Sequence, residues 1–527
     1  MIQRLPSVER LLAWAAALVG VIGLVSALTP GMANRVEVVK GILPPGWPEA
    51  ARGLTVAFGI GLIWLSRSLA KRRRRAWQLA VGVVVASAAA HLAKGLDFEE
   101  ATVSLLLLGA LIRWRRRFDV PGDPASVRPL LGLGAALAGI GAVVGGEELR
   151  GVELSHRASD ALLGLGVALG FLALFFWLRP FGHAVAQTVG ERRVARALVD
   201  AYGSDSLSFF ALRRDKSYLF SPSGRAFLAY RVVAGTALVS GDPVGEEAEI
   251  DELLAELRRL AQGHGWRFAV VGASGEHLDR YRALGLKPVA MGEEAVLRPQ
   301  EFSLEGRAIR KVRQSVSRLR RAGYSFRIVA ADEIGPKLEA ELEHVSAMWR
   351  RGLPERGFSM AIDDLHVPGT VLAVAEDAGR VGGFLHLAPA PAGGGWSLSA
   401  MRRRPDAPNG LTEFLVVEAL AWARETGASE LSLNFCALTD FLAPERMRTP
   451  VRRLVRRGLL LADNVFQLER LYAFNRKFFP EWRPRYICVQ RLTDLPAVGI
   501  AYLHAESLLV PPGPWARRRG PRRRVAA

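Results

Sequence analysis

Apolar residues run almost continuously in six stretches before residue 180, whereas after residue 195 they recur at alternate positions or at helical spacing. Most of the six stretches approach the ~20 residues that a membrane-spanning helix needs. We therefore predict an α-helical transmembrane bundle of about six helices over residues 1–180. The stretches are Leu11–Leu28, Gly53–Leu69, Ala76–Leu92, Ala101–Ile112, Leu130–Val144 and Ala161–Leu178.

Charged residues in the loops give the predicted spans an orientation. Lys and Arg cluster after the second, fourth and sixth stretches, whereas the alternate loops carry acidic residues and few cations. Because cytoplasmic loops are enriched in Lys and Arg, both chain termini are predicted to be cytoplasmic. The spans are interpreted either as a plain anchor or as a lipid-translocating unit, and no intramembrane cluster of charges favours the second.

After Arg196 the pattern changes to short strands that alternate with helices, which is typical of a mixed α/β fold. The order of these elements predicts two domains, over residues 195–300 and 301–505. A Pro/Arg-rich tail, residues 506–527, cannot form a core and is predicted to be disordered. Helices are predicted at 246–262, 276–284, 304–322, 334–351 and from residue 411, and strands at 227–233, 236–239, 267–271, 295–298, 324–330, 371–376, 381–387, 396–400, 430–434 and 485–490.

Residues 396–423 combine a strand, a basic loop and a helix. The loop carries three consecutive arginines, and the helix begins near Asn409-Gly410. Unpaired backbone N–H groups and the positive end of the helix dipole favour an anion at such a point. Glu413, in the first helical turn, places a carboxylate beside this predicted anion site, where it can accept a proton or bind an amine.

The overall charge agrees with a protein that handles polyanions. The chain has 70 Lys and Arg against 51 Asp and Glu, a formal net charge of +19, together with 50% hydrophobic residues. Anionic lipid and nucleic acid are both candidate partners. Cys436 and Cys488 are isolated and the nine histidines are scattered, so we expect neither a disulfide framework nor a metal site.

Five separated motifs resemble those of one enzyme family and follow one another in that family's order. They are SGDPVG from Ser240, RGFSM from Arg356, MRRRPDAPNG-x-x-EFL from Met401, LSLNF from Leu431 and FNRKFFPEWRPRY from Phe474. Over about residues 195–505 the chain resembles the aminoacyl-phosphatidylglycerol synthases of the multiple peptide resistance factor type, with a DUF2156-type C-terminal region. The resemblance implies tandem acetyltransferase-type (GNAT-like) domains after a transmembrane bundle, in a multi-pass protein of the bacterial inner membrane.

The resemblance also implies an activity: transfer of an amino acid from aminoacyl-tRNA to the head group of phosphatidylglycerol. Such transfer reduces the negative charge of the membrane and is associated with resistance to antimicrobial peptides. Lysine is the expected amino acid, although alanine also occurs among relatives, and cardiolipin or diacylglycerol are alternative acceptors. One ester is exchanged for another, so neither a cofactor nor ATP nor a metal is expected. No synthetase domain follows residue 527, so a separate aminoacyl-tRNA synthetase is the expected source of the tRNA substrate.

Site residues follow from the same motifs. Arg403 and Arg404 are expected to contact phosphate or the oxyanion, and Glu413 to take the proton or bind the substrate amine. Lys477 matches an essential cation of the family, and Asp406 is a second carboxylate candidate, although a loop Asp between prolines is more often a turn residue. Substrate binding is assigned to Arg402, Asn409, Gly410 and Asn434.

Two basic segments are candidates for binding polyanions. The predicted helix around residues 307–321 is almost exclusively cationic on its polar side, which indicates either a solvated face or contacts with the tRNA backbone. A second stretch, residues 446–457, mixes arginines with apolar residues and is interpreted as an interfacial helix on anionic lipid or as an ordinary packed helix. The predicted tRNA-binding residues are Arg307, Arg310, Lys311 and Arg313.

Two loops bear on the choice of ligand. An acetyl-CoA enzyme would carry a glycine-rich loop before the helix at residue 411, but two prolines in RPDAPNG remove backbone donors there. SGDPVG follows a strand and precedes a predicted helix, a position where phosphate loops occur, but the motif also fits a tight turn.

Two other functions remain open. The first is a tRNA-dependent transferase that acts on a peptidoglycan precursor. A non-catalytic lipid transporter is the alternative from a different class, and the retention of Glu413, Lys477 and the arginine-rich loop argues against it.

Overall fold

The computed structural model describes residues 7–29, 47–120, 130–139, 164–177 without 167, 171, 175 and 176, 185, 187–351, 357–358, 361–362, 364–437 and 468–509. The chain divides into two compact units. One comprises Met1–Gly182 with Ala261–Trp266, and the other comprises His183–Leu260 with Arg267–Ala527.

Helices occur within each of the six predicted apolar stretches. Two helices, Val8–Leu28 and Arg74–Ala93, are long and apolar enough to cross a membrane, and the helices in the fifth and sixth stretches are shorter than a span. Among the described residues, the prediction of about six spans is therefore supported by length and composition for two helices. The helices are α1 Val8–Leu28, α2 Trp47–Leu69, α3 Arg74–Gly95 and α4 Phe98–Arg113, followed by Leu130–Gly139 and Gly164–Leu174.

Close packing of α1 on α2 depends on two glycines. A Cβ atom added at Gly20 would lie 2.6 Å from the carbonyl oxygen of Gly59, and one at Gly59 would lie 2.7 Å from that of Gly20. Neither position has room for a side chain, so the two backbones approach each other directly. Small residues at a helix contact are typical of helices that pack within a membrane.

The second unit is built on a sheet of twelve strands within its described residues. We refer to β1–β6 as the first half and to β7–β12 as the second half. The strands are β1 Ser217–Phe220, β2 Ala226–Val233, β3 Thr236–Ser240, β4 Val244–Gly245, β5 Arg267–Ala273, β6 Lys287–Leu297, β7 Ser325–Ala330, β8 Val371–Asp377, β9 Arg380–Ala390, β10 Gly395–Arg403, β11 Leu431–Ala437 and β12 Glu481–Val489.

The two halves exchange their last strands. Strand β6 pairs with β11 of the second half, and β12 pairs with β5 of the first half, while β6 and β12 also pair with each other. The order across the sheet is β1-β2-β3-β5-β12-β6-β11-β10-β9-β8-β7, with β4 paired to β2. The sheet therefore runs without a break through the predicted boundary between residues 195–300 and 301–505.

Helices cover the sheet and bury their apolar faces on it. The second-half core joins Phe414 and Leu420 of the helix after β10 to Leu385 on β9, and also contains Leu319 from the basic helix. Burial of such side chains stabilises the fold by ~1.5–3 kcal/mol each. The helices are α5 Val189–Tyr202, α6 Ile250–His264, α7 Leu278–Ala283, α8 Arg310–Arg321, α9 Pro336–Arg350, α10 Leu411–Glu425, α11 Leu468–Asn475 and α12 Leu495–Ala505.

The mixed α/β prediction is confirmed, but one local prediction is wrong. The helix predicted from residue 304 begins at Arg310, because Gly306 has a φ of 88° and interrupts the helical backbone. SGDPVG contains a short strand that the sequence pattern does not predict: Val244–Gly245 forms β4 against β2, and a 3-10 turn, Glu247–Glu249, then leads into α6 at Ile250. The basic stretch 446–457 and residues 510–527 of the predicted tail lie outside the described residues.

Candidate active site

The site is built where two parallel strands of the second half separate. Strands β10 and β11 pair at only two positions, Trp396 opposite Leu431 and Ser397 opposite Ser432. Beyond these positions the strands diverge, and Asn434 bridges the gap: its Nδ2 donates to the carbonyl oxygen of Leu398 at 2.6 Å. Asn434 is buried and has a φ of 68°, a conformation that asparagine tolerates better than most residues. Its side chain thus lies where the strands open.

The three arginines that end β10 and begin the following loop have different partners. Arg402 is buried, with its guanidinium carbon 6.0 Å from the centroid of the Phe384 ring. Arg403 donates from Nη1 to the carbonyl oxygen of Ala407 at 3.3 Å. Arg404 donates from Nε to Oδ1 of Asp406 at 3.0 Å. Arg402 therefore belongs to the buried sheet, whereas the other two shape the loop.

Asp406 is committed to this loop. Besides Arg404, Arg380 lies 3.4 Å from its Oδ2, and its side chain is 57% exposed. The hydrogen bond from Arg404 lowers the pKa of Asp406 below its ordinary value. An exposed, paired and weakly basic carboxylate fits a turn residue better than a proton acceptor, which favours Glu413 of the two candidates.

The start of α10 offers backbone donors. Gly410 has a φ of 93°, and a Cβ atom there would lie 2.7 Å from Cβ of Ser315 on α8. Arg318 of the same helix donates to the carbonyl oxygen of Asn409. The N–H groups of Thr412 and Glu413 have no hydrogen-bond acceptor among the described residues. Asn409 and Gly410 therefore fix a helix start whose unpaired donors favour negative charge.

Glu413 and Lys477 are brought together from distant parts of the chain. Lys477 lies in the short turn after α11, and its Nζ is 2.7 Å from Oε1 of Glu413. The Glu413 side chain is 14% exposed and that of Lys477 is 46% exposed. The ammonium also lies 5.2 Å from the centroid of the Phe474 ring. A largely shielded carboxylate is thus oriented by a cation that solvent can reach.

The basic helix α8 presents its charges outward and its apolar side inward. Val312, Val316 and Leu319 are buried. Arg313 donates from Nη1 to the carbonyl oxygens of Leu304 and Gly306, so it holds the turn before the helix. The other three predicted tRNA-binding residues, Arg307, Arg310 and Lys311, are exposed.

A buried network at the exchanged strands was missed from the sequence. Arg485 on β12 contacts Oε2 of Glu294 on β6 at 2.5 Å and Oδ2 of Asp205 at 2.7 Å. Burial works to raise the pKa of Glu294, but Arg485 and hydrogen bonds from Ser206 and Ser432 lower it below its ordinary value. The signal was present, because Arg485 stands in the FNRKFFPEWRPRY motif, but its partners are remote in sequence.

The corresponding place in the first half is closed. Strands β3 and β5 pair over five positions, from Thr236 opposite Arg267 to Ser240 opposite Val271. Lys216 is fully buried there and donates to Oγ of Ser240 at 2.7 Å and to the carbonyl oxygen of Phe210 at 2.6 Å. In SGDPVG, Asp242 accepts the Tyr281 hydroxyl at 2.6 Å and the N–H of Ser274 at 2.9 Å.

Metal-binding potential is limited in the described part of the chain, where no group of three or more His, Cys, Asp or Glu residues is placed to hold an ion. Both cysteines are buried and unpaired. Burial raises the pKa of each thiol to about 12. Neither thiol is therefore ionised at neutral pH.

A family model described as phosphatidylglycerol lysyltransferase, C-terminal, matches residues 196–489. The chain belongs to this family. Within the phosphatidylglycerol lysyltransferase family, two curated relatives are bifunctional LysX proteins of lysylphosphatidylglycerol biosynthesis. The protein of Mycolicibacterium vanbaalenii is 33% identical over 95% of this chain and 50% of its own length. That of Rhodococcus jostii is 37% identical over 77% of this chain and 37% of its own length. The chain spans about half the length, or less, of these relatives.

Two solved structures are similar to this chain. The C-terminal domain of a lysylphosphatidylglycerol synthetase from Agrobacterium fabrum is 26% identical with a TM-score of 0.50, covering 59% of this chain and 95% of that domain. L-PGS from Bacillus licheniformis is 23% identical with a TM-score of 0.54, covering 62% of this chain and 97% of that one. The second likeness establishes the fold alone.

Proposed function

We propose that this phosphatidylglycerol lysyltransferase family member is a membrane-bound transferase that moves an amino acid, lysine in the first instance, from aminoacyl-tRNA to the head group of phosphatidylglycerol. One observation carries the proposal: Glu413 and Lys477 form a 2.7 Å ion pair beside the helix start that follows the diverging strands. The names of the relatives support lysine and phosphatidylglycerol as substrates. We further infer that both halves are GNAT-like and that the second half carries the reaction.

The reaction exchanges one ester for another. A hydroxyl of the lipid's terminal glycerol attacks the carbonyl carbon that joins the amino acid to the tRNA 3′ end. Glu413 takes the proton of that hydroxyl, and the tetrahedral oxyanion is stabilised by Lys477 and by the N–H groups at the start of α10. The C–O bond to the tRNA then breaks, and the departing 3′ oxygen receives the proton. No redox step or external energy source enters this balance.

Each remaining site residue has a part in binding. Arg403 and Arg404 hold the loop whose positive charge attracts phosphate, while Asn409 and Gly410 fix the start of α10. Asn434 keeps the diverging strands at their separation, and Arg402 supports the sheet beneath the loop. Arg307, Arg310 and Lys311 contact the tRNA backbone, with Arg313 holding the turn before their helix; such contacts are salt-sensitive.

The N-terminal unit anchors this domain to the bacterial inner membrane. We propose about six spans with both termini in the cytoplasm, the side on which a synthetase supplies aminoacyl-tRNA. Addition of lysine to phosphatidylglycerol places a cationic head group where an anionic one stood. The proposed consequence is a less negative membrane and lower sensitivity to cationic antimicrobial peptides.

The test is transfer of a radiolabelled amino acid from charged tRNA into lipid, in membranes that contain the full chain. Lysyl-, alanyl- and arginyl-tRNA are compared, with RNase-treated tRNA and membranes without the chain as controls. Label in phosphatidylglycerol that RNase abolishes is the expected result and identifies the amino acid. Label in a peptidoglycan precursor would replace this proposal with the precursor-modifying function, and no label with any tRNA would contradict tRNA-dependent transfer.

A further inference from the structure

A cleft of about 450 Å³ lies beside α5, and none of its lining residues belongs to the proposed active site. Helix α5 begins with a reciprocal cap: the N–H of Glu191 donates to Oγ1 of Thr188 at 3.1 Å, and the N–H of Thr188 donates to Oε2 of Glu191 at 2.7 Å. This cap fixes the first turn, from which Arg192 reaches the cleft. The site is thus built on a rigid element.

The cleft is positively charged. Four arginines and two aspartates line it. Arg196 is paired with Asp200 at 2.8 Å, and Arg214 lies 3.5 Å from Asp364. The guanidinium of Arg192 has no ion pair or hydrogen bond with the described residues, so its charge is available to a ligand. The fourth arginine, Arg213, is buried and held by its own neighbours.

A buried tyrosine hydroxyl without a partner in the described part of the chain lies beside these charges. Tyr218 lines the cleft and is 9% exposed, and its hydroxyl has no hydrogen-bond partner among the described residues. Its ring packs edge-on against Phe227, with centroids 5.4 Å apart, which fixes its direction. Burial raises the pKa of Tyr218, so the hydroxyl remains a donor at neutral pH. A buried donor without an acceptor is costly, and an anion would satisfy it.

The remaining walls are apolar, with Leu212, Ile362 and Val367 among them. Positive charge beside apolar surface suits a ligand that carries a phosphate next to hydrocarbon. The volume fits a small head group and is typical of small-molecule sites. Phosphates of a structured RNA would instead meet an open basic face such as that of α8.

We propose that this cleft binds the phosphodiester of an anionic phospholipid. The choice of lipid rests on the proposed function, in which an anionic phospholipid is the acceptor. Arg192 and Arg214 contact the phosphate oxygens, the Tyr218 hydroxyl donates a further hydrogen bond, and the glycerol backbone lies against the apolar wall. Lipid thereby has a binding site of its own, separate from the exposed basic residues assigned to tRNA.

Equilibrium binding to the full chain in a non-ionic detergent tests the site without any tRNA. The ligands are dihexanoyl-phosphatidylglycerol, its phosphatidylcholine counterpart and inorganic phosphate. We expect the phosphatidylglycerol to bind more tightly than the other two. Arg192→Gln and Arg214→Gln should each weaken it about tenfold, as expected for loss of a charge-assisted hydrogen bond. Tyr218→Phe should weaken it about threefold without lowering the melting temperature.

Arg258→Gln on α6 is the matched control, since it removes the same charge from an exposed position outside the cleft. Equal binding by Arg192→Gln, Arg214→Gln and Arg258→Gln would overturn the proposal. If inorganic phosphate binds as tightly as the lipid, the cleft is a site for anions in general. If the cleft variants weaken aminoacyl-tRNA binding and not lipid binding, the cleft is a site for RNA. Either result contradicts a lipid site. Lipid binding is measured without turnover. Lipid binding that is intact in the absence of amino-acid transfer would therefore contradict the proposed reaction and leave the proposed lipid site standing.

Discussion

The two halves of the sheet each contain a parallel strand pair, but they treat the ends of those strands differently. In the first half, β3 and β5 stay paired over five positions, and the N–H of Gly241 extends the pairing to the carbonyl oxygen of Val271 at 2.9 Å. In the second half, β10 and β11 pair at two positions, and beyond these the side chain of Asn434 links them. The ends of the parallel strands are therefore closed in the first half and open in the second.

The polar side chains at the two sets of strand ends also differ: those of the first half are enclosed, and those of the second half are partly open to solvent. Lys216 and Asp242 have their bonding capacity taken up by protein groups in the interior of the first half. Lys477 is 46% exposed, and Glu413 faces it from the start of α10. A committed polar group stabilises the fold, whereas a partly exposed one can exchange its partner for a substrate. The comparison therefore assigns a structural role to the closed strand ends of the first half and the proposed chemistry to the open strand ends of the second.

The largest predicted effect concerns the network that joins the halves. Arg485→Met leaves the buried carboxylate of Glu294 and the partly buried carboxylate of Asp205 without their cation, so unfolding free energy should fall by ~3–5 kcal/mol. Thermal melting of the full chain in detergent measures it. Arg483→Met is the control: its ion pairs with Glu430 and Glu481 are partly exposed, and its loss should cost less than ~1 kcal/mol. Similar melting temperatures for both variants would mean that the halves do not depend on this network.

The next largest effect is on the rate of amino-acid transfer, which should depend on the proposed site in the second half and not on Asp242 in the first. Glu413→Gln and Lys477→Met should each lower the transfer rate by ~10²–10³-fold, since each removes a group proposed to act on the reacting atoms. Asp242→Asn should leave transfer within about twofold while lowering the melting temperature, because Asp242 accepts two internal hydrogen bonds. Initial rates with charged tRNA measure both effects. A loss of transfer in Asp242→Asn as large as in Glu413→Gln would break the comparison.

Two substitutions at Asn434 distinguish its hydrogen bond from its backbone conformation. Asn434→Ala loses the bond to Leu398 and places a poorly suited residue at a φ of 68°, so unfolding free energy should fall by ~2 kcal/mol. Asn434→Gly loses the same bond but accepts the conformation, so its loss should be smaller, ~1 kcal/mol. Melting curves compare them. If Asn434→Gly is no more stable than Asn434→Ala, the left-handed backbone conformation does not contribute to the difference in unfolding free energy.

Acidity should affect the second half through His386 on β9. Burial, with the positive charge of Arg402, lowers the pKa of His386 to about 4, below the ordinary value of 6.5. Between these values the unfolded chain binds more protons than the folded one, so stability falls as pH decreases from 6.5 towards 4. From pH 7 to pH 5.5 the loss should be ~1 kcal/mol. His386→Gln should remove this part of the pH dependence in melting curves, and an unchanged slope would exclude His386 as its source.

Local patterns made much of the second half predictable. The strand, loop and helix expected at 396–423 appear as β10, its arginine-rich loop and α10, because alternation and helical spacing are properties of neighbouring residues. The strand exchange was not predictable in this way. β6 was expected near 295–298 but runs over Lys287–Leu297, since partners far away in the sequence on both sides extend it.

The same distinction applies to the candidate site. Glu413 and Lys477 were singled out separately by the motifs in which they stand, but their 2.7 Å contact joins positions 64 residues apart. The Glu294–Arg485 contact joins positions 191 apart, and no local pattern indicates it. Composition and spacing identified the charged residues, whereas the partner of each one is decided by the tertiary structure.

The exchanged strands delay completion of the sheet during synthesis of the protein. β5 ends at residue 273, but β12, the strand that covers its free edge, begins at residue 481. A ribosome must therefore extend the chain across that interval while the β5 edge lacks its final neighbour, and uncovered edges readily pair with other chains. A nascent chain that stops before residue 481 leaves β5 without its neighbour from the second half, although all six strands of the first half, β1–β6, have already been made.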